Sequence, residues 1–275
     1  MSDMDDNTLQ ELIAFACGLA DSAGAAILPF FRAQIPVENK LAQAFDPVTE
    51  ADRQAEVIIR KLIEKSYPEH RIQGEEFGAG GGGGDLCWYI DPIDGTRAFI
   101  TGSPIWGVLI GLHDSRAPVL GIMDQPFTGE RFIGSRFGAF LWHGGRTQQL
   151  QTRACAELAQ AVVTTTHPDL FATTAERDAY LAVADQCLLN RYGGDCYAYA
   201  MLAHGLSDLV IESGLNSYDI QALIPIVTAA GGTITAWDGG PADQGGRIIA
   251  AGDSRVHAQA CQILCDHPSQ AGGRG

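Results

Sequence analysis

The chain has 275 residues, 46% of them hydrophobic and 19% charged, enough to bury one large core or two smaller ones. Its formal net charge of −15 argues against a nucleic-acid backbone as partner, which needs clustered Lys and Arg, and against an anionic membrane surface. The acidic start MSDMDDNTLQEL is unlike a secretory signal, and no run of roughly eighteen apolar residues predicts a membrane span. The seven scattered cysteines include no C-x-x-C pair and predict reduced thiols in a cytoplasmic protein.

Leu9, Leu12, Ile13, Ala16, Leu19, Ala20, Ala23 and Ile27 recur at steps of three and four, predicting an amphipathic helix that ends before Pro36. Thr49, with Asp52 three residues on, reads as a capping box for a second helix with the stripe Ala55, Ile58, Ile59, Leu62 and Ile63. Pro68 stops it. A short strand over 71–74 leads into Glu75-Glu76. The run F-G-A-G-G-G-G-G-D then lacks both the Gly-Lys-Ser/Thr of a P-loop and a following helix pattern, so it reads as a flexible surface loop. Strands are expected over 86–90, 106–112, 118–123, 130–133 and 139–142, with a hairpin turn at 113–117. Trp106 and Trp142 are expected in the core.

Beyond residue 150 the rhythm changes. Strands over 162–165, 208–211, 233–236 and 248–251 alternate with helices over 175–188, 195–203, 220–230 and 256–265. This divides the chain into residues 1–150, an α+β subdomain, and 151–275, an α/β subdomain, in a layered α/β (α+β) architecture.

Several acids stand at the ends of apolar elements: Glu75 and Glu76 after one strand, Asp91 and Asp94 after another, and Asp219 at the start of the helix Y-D-I-Q-A-L-I-P-I-V. Such a cluster repels itself unless a cation neutralises it, and hard oxygen ligands without convergent His or Cys suit Mg²⁺ better than zinc. In W-Y-I-D-P-I-D-G-T, Gly95 lets backbone approach a ligand, and the amides ahead of a helical turn can bind an anion. Two readings stand on spacing alone: a metal-dependent phosphatase, or a capped structural turn with a solvated Asp pair.

D-P-I-D-G-T (91–96) after an apolar strand, G-E-E (74–76) upstream, D-P-V-T-E-A-D (46–52), and Asp219 opening an apolar helix that ends in A-G-G together resemble the inositol monophosphatase superfamily over about residues 8–265. The resemblance implies a layered αβαβα sandwich and a dimeric, often lithium-sensitive phosphomonoesterase using two or three Mg²⁺ ions, with Mn²⁺ as a substitute. It implies Glu75, Asp91 and the Ile93 carbonyl at a first metal, and Asp91, Asp94 and Asp219 at a second. Glu75 would assist a third. Thr96, with Asp46 and Thr49 behind it, would orient and deprotonate the attacking water. The Gly95 and Thr96 amides would hold phosphate, with Lys40 nearby.

Departures from the commonest pattern point to a branch. Arg97-Ala98-Phe99 replaces Thr-Asn-Phe, and Y-D-I-Q-A-L-I-P replaces W-D-x-A-A-G. With G-G-D-C-Y-A-Y (193–199) and T-T-T-H-P-D-L-F (164–171), these segments look like the histidinol-phosphate phosphatases of histidine biosynthesis. Asp195 and Glu212 would then pair with the cationic end of the substrate, and Arg97 would steer phosphate. Asp195 as a helix N-cap and Arg97 as a solvated surface residue are the structural alternatives. A metal-activated water needs no histidine, so His167 and His204 are expected to be structural or exposed. Inositol 1-phosphate and adenosine 3′,5′-bisphosphate are the alternative substrates, and a catalytically dead, metal-binding dimeric scaffold is the alternative outside enzymes.

Overall fold

The computed structural model describes residues 4–33, 38–39 and 47–266. Helix α1 (Asp6–Ile27) opens on Asp5, which accepts from the Thr8 amide and hydroxyl, both at 2.9 Å. Contrary to the sequence expectation, the segment Asp6–Phe30 is long and apolar enough to cross a membrane by length and composition. Here its stripe of Leu9, Leu12, Ala16, Leu19, Ala23 and Ile27 is core, packed against α2 (Glu50–Ser66) and the first large sheet. The Thr49–Asp52 capping box forms as expected. Two short strands, β1 (Glu38–Asn39) and β2 (Pro47–Val48), pair ahead of it.

The first large sheet contains β3 (Arg71–Gly74), β4 (Gly78–Gly81), β5 (Cys87–Asp94), β6 (Gly107–His113), β7 (Pro118–Gln125), β8 (Glu130–Ser135), β9 (Gly138–His143) and β10 (Arg146–Gln149). Its order is β10-β9-β8-β7-β6-β5-β3-β4, and only β3 and β5 run parallel. The glycine run is thus not a free loop. Its first part is the edge strand β4, and Gly82 and Gly84 donate to the carbonyls of His70 and Glu69 at 2.8 Å. Trp106 is fully buried, but Trp142 is 44% exposed: β9 lies towards the sheet edge, and its alternation points this ring outward.

After helix α3 (Thr96–Ile100), which follows β5, the helices are α4 (Thr174–Ala184), α5 (Asp195–Ala203), α6 (Ser217–Ile220), α7 (Leu223–Ala229) and α8 (Ser254–Asp266). The second sheet, in order β12-β11-β13-β15-β14, uses β11 (Val162–Thr165), β12 (Leu189–Tyr192), β13 (Leu209–Leu215), β14 (Thr233–Ala236) and β15 (Gly246–Ala251). The single helix expected over 220–230 is two, α6 and α7. Pro225 cannot donate to the Gln221 carbonyl and is tolerated only in the first turn of a new helix.

Three apolar clusters fill the gaps between layers: α1 and α2 on one face of the first sheet, α5 and α7 between the sheets, and α4 and α8 on the far face of the second. The result is an αβαβα sandwich. Gly111, Gly121 and Gly134 stand opposite one another on β6, β7 and β8. A Cβ at Gly121 would lie 1.8 Å from the Ala222 carbonyl oxygen, and one at Gly134 2.3 Å from the Ile226 amide nitrogen. This bare row lets the α6–α7 junction rest on the sheet backbone, which carries Asp219 to the end of β5.

Candidate metal and phosphate centre

Side chains alternate along a strand, so carboxylates three residues apart should face opposite ways. On β5 they do not. Asp91 opposes Leu109 and Asp94 opposes Gly107, three steps against two, so the strand bulges at Pro92-Ile93. Pro92 suits a bulge because it has no N–H to donate to the ladder. The Ile93 amide donates to Asp91 Oδ1 at 3.0 Å, and the Thr96 hydroxyl donates to the Ile93 carbonyl at 3.2 Å. Gly95 then takes φ +85°, the left-handed conformation that glycine adopts without strain, and α3 begins. The turn expected after residue 90 is therefore the bulged end of the strand itself.

Asp219 comes from the opposite layer. It is the third residue of α6, not its first, and closes a capping box by accepting the Asn216 amide at 2.6 Å. One oxygen each of Asp91, Asp94 and Asp219 lies within 4.8 Å of the others. Glu75, the Ile93 carbonyl's residue, Gly95, Thr96, Asn216 and Tyr218 line the same cleft of about 350 Å³. Burial, then the charges of Glu75, Asp94 and Asp219, pushes the Asp91 carboxyl well above its usual range. Burial, then Asp94, does the same to Asp219. Burial raises Asp94 to about 6 even though the Cys196 amide donates to it at 2.7 Å. Carboxylates this close, Asp91 buried and the other two half-buried, with no base among the described residues lining the cleft, fit a divalent cation held by oxygen.

Asp94 and Asp219 also border a second pocket of about 110 Å³, lined by Thr166, His167, Phe171, Asp195, Tyr199 and Glu212 among others. The Thr166 amide and hydroxyl donate to Glu212 at 3.0 and 2.5 Å. Burial lifts Glu212 to about 7. Burial, then Asp94 and Glu212, lifts Asp195 to about 8, with Arg97 opposing. Asp195 is not an N-cap: Gly194 holds that position, and Asp195 is the first helical residue at φ +44°. Arg97 is exposed on α3, near enough to act on Asp195. His167 lies at the pocket wall with its side chain 55% exposed, and His204 closes α5.

Lys40 and Asp46 lie outside the described residues. Thr49 is buried and donates its amide (2.9 Å) and hydroxyl (2.5 Å) to Asp52. Sequence reasoning gave Asp52 only a capping role. Yet burial raises its carboxyl to about 6, the charge of Glu75 pushes the same way, and its Oδ1 is buried without a partner among the described residues. Thr166 and Asn216, which hold Glu212 and Asp219, were also missed: Thr166 lies 46 residues from Glu212, whereas Asn216 has the same capping spacing to Asp219 as Thr49 has to Asp52 and was legible by that rule.

The profile of the inositol monophosphatase family matches residues 8–269. The chain is 41% identical to the "Bifunctional phosphatase IMPL2, chloroplastic" of Arabidopsis thaliana, covering 96% of this chain and 78% of that one. It is 36% identical to the histidinol-phosphatase of Streptomyces coelicolor, covering 90% and 94%. An inositol monophosphatase structure from Zymomonas mobilis superimposes with TM-score 0.82 at 38% identity, covering 93% and 98%.

Proposed function

Because the chain belongs to the inositol monophosphatase family and is a phosphatase of that family, we propose that it hydrolyses L-histidinol phosphate to L-histidinol and phosphate with Mg²⁺. The observation that carries this reading is the pocket beside the acidic cleft, where half-buried Asp195 and buried Glu212 stand together with raised proton affinity. Acids kept from water with too little counter-charge favour a cationic ligand over a polyol, which would need hydroxyl partners instead. Histidinol phosphate carries an ammonium and an imidazole on a short phosphate ester. The Streptomyces relative, named a histidinol-phosphatase, supports this branch.

In this reading Glu75, Asp91 and the Ile93 carbonyl hold one ion, Asp91, Asp94 and Asp219 a second, and Glu75 helps with a third. Bound there, the ions supply Lewis acidity towards phosphoryl oxygens and lower the pKa of water. The protein's own part is placement. Thr96 and Glu75 orient the attacking water, and Asp52 is the carboxylate base, fixed by the bonds it accepts from Thr49. The Gly95 and Thr96 amides receive the phosphate, with Arg97 steering it. Asp195 and Glu212 hold the amino alcohol, so that departing oxygen and water lie on opposite sides of phosphorus. A homodimer is the assembly proposed by the same family resemblance.

Turnover of L-histidinol phosphate, inositol 1-phosphate and adenosine 3′,5′-bisphosphate, measured side by side with Mg²⁺, tests the reading. We expect kcat/KM to be highest for the first. A clear preference for inositol 1-phosphate would overturn the substrate, and no turnover of any of them would leave a metal-binding scaffold.

A further inference from the structure

Glu75 sits in the three-residue turn (75–77) joining β3 to β4. Its own amide donates to the Ile90 carbonyl at 3.1 Å. The next two amides point to a side chain on another element. Glu56, on α2 and fully buried, accepts from the Glu76 amide at 2.7 Å and the Phe77 amide at 3.2 Å. Arg60, one turn further along α2, donates Nε to Glu56 at 2.7 Å and its other arm to the Gly78 carbonyl. One ion pair thus grips the turn at residues 76 and 77 and the first residue of β4.

The glycines make room for it. A Cβ at Gly74 would lie 2.0 Å from Glu56 Oε1, and one at Gly80 2.8 Å from the Arg60 guanidinium. The carboxylate and guanidinium lie flat against backbone that any other residue would cover. This accounts for part of a glycine run that matched no phosphate-binding pattern.

We propose that the Glu56–Arg60 pair is a positioning device for the metal centre, clamping the β3–β4 tip so that Glu75 is presented in a fixed place. The inference rests on the reading of Glu75 as a metal ligand. Side chains that orient ligands, without touching the metal, typically govern its affinity by about 10–100-fold. A group with a purely structural role lowers stability but leaves the affinity of the folded protein alone.

The test measures Mn²⁺ affinity by electron paramagnetic resonance, without substrate and well below the unfolding temperature, in the parent protein and in Glu56→Gln, Arg60→Gln and Glu75→Gln. Glu56→Gln keeps the shape but turns an amide NH₂ towards donors, so at least one of its bonds is lost. We expect it to weaken Mn²⁺ binding roughly tenfold, with faster hydrogen exchange at the Glu76 and Phe77 amides and kcat recovering as Mg²⁺ is raised. Arg60→Gln shifts the affinity in the same direction and decides the matter if Glu56→Gln does not fold. Parent-like affinity in both folded clamp variants, with Glu75→Gln weakened, overturns the clamp alone. Parent-like affinity in Glu75→Gln overturns the reading beneath it as well.

Discussion

The indole N–H of Trp88 donates to Nδ1 of His70 at 3.1 Å, and the Tyr67 ring stacks on the imidazole with centroids 4.7 Å apart. An Nδ1 that accepts a hydrogen bond carries no proton, so the fold selects neutral His70. Burial lowers its pKa from 6.5, with Glu69 opposing. The sign follows. Above the unfolded value His70 is neutral in both states, and its contribution to stability is fully present. As pH falls the unfolded chain takes up a proton that the folded one resists, so this contribution is lost, with a slope of at most about 1.4 kcal/mol per pH unit. His70→Gln keeps an acceptor for Trp88 but cannot titrate. Urea unfolding at pH 7.5 and 5.5 should show a smaller loss on acidification in the variant than in the parent. His113 and His257, also lowered by burial, act equally in both proteins and cancel in that comparison. Equal losses would mean that His70 titrates as it does in the unfolded chain.

At the scale of elements, the row Gly111–Gly121–Gly134 decides how closely α6 and α7 approach the first sheet, and so where Asp219 stands. In Gly121→Ala the new methyl meets the Ala222 carbonyl, which is backbone and cannot swing aside. We expect a loss of about 1–3 kcal/mol in stability, as for overpacked cores, and weaker Mg²⁺ activation because Asp219 retreats from Asp91 and Asp94. Gly83→Ala is the control, since a Cβ there meets nothing within 4 Å. Parent-like Mg²⁺ activation in Gly121→Ala would show that Asp219 does not depend on this contact. The glycine row also marks the limit of what sequence can reveal. D-P-I-D-G-T is legible because bulge, left-handed glycine and helix start are local events. Three glycines spaced ten and thirteen residues apart have no period, and become a row only once the strands are in register. Glu56 is likewise one more polar residue of a helix in the sequence, although it also accepts bonds from a hairpin tip twenty residues on. The break before Pro225 could have been read from the proline alone.

Across the whole molecule the charge is −15, and some of it converges on one cleft where Asp91, Asp94 and Asp219 face one another. The folded chain therefore carries self-repulsion that the unfolded chain relaxes by moving apart, and a bound cation offsets it in the folded state alone. Removing metal with a chelator should lower the unfolding temperature. Adding Mg²⁺ should restore it progressively, by about 2.7 kcal/mol at a hundred times the dissociation constant. Asp94→Asn separates this effect from general salt screening. The amide oxygen can still accept the Cys196 N–H, while one of the charges bearing on Asp91 and Asp219 disappears. In chelator the variant should be at least as stable as the parent, because a buried charge without a counter-ion has gone. In Mg²⁺ it should gain little, and its turnover should be abolished although the fold is intact. Equal Mg²⁺ stabilisation of variant and parent, or near-normal turnover, would place the cation elsewhere and leave the three carboxylates as a repulsion that the core simply tolerates.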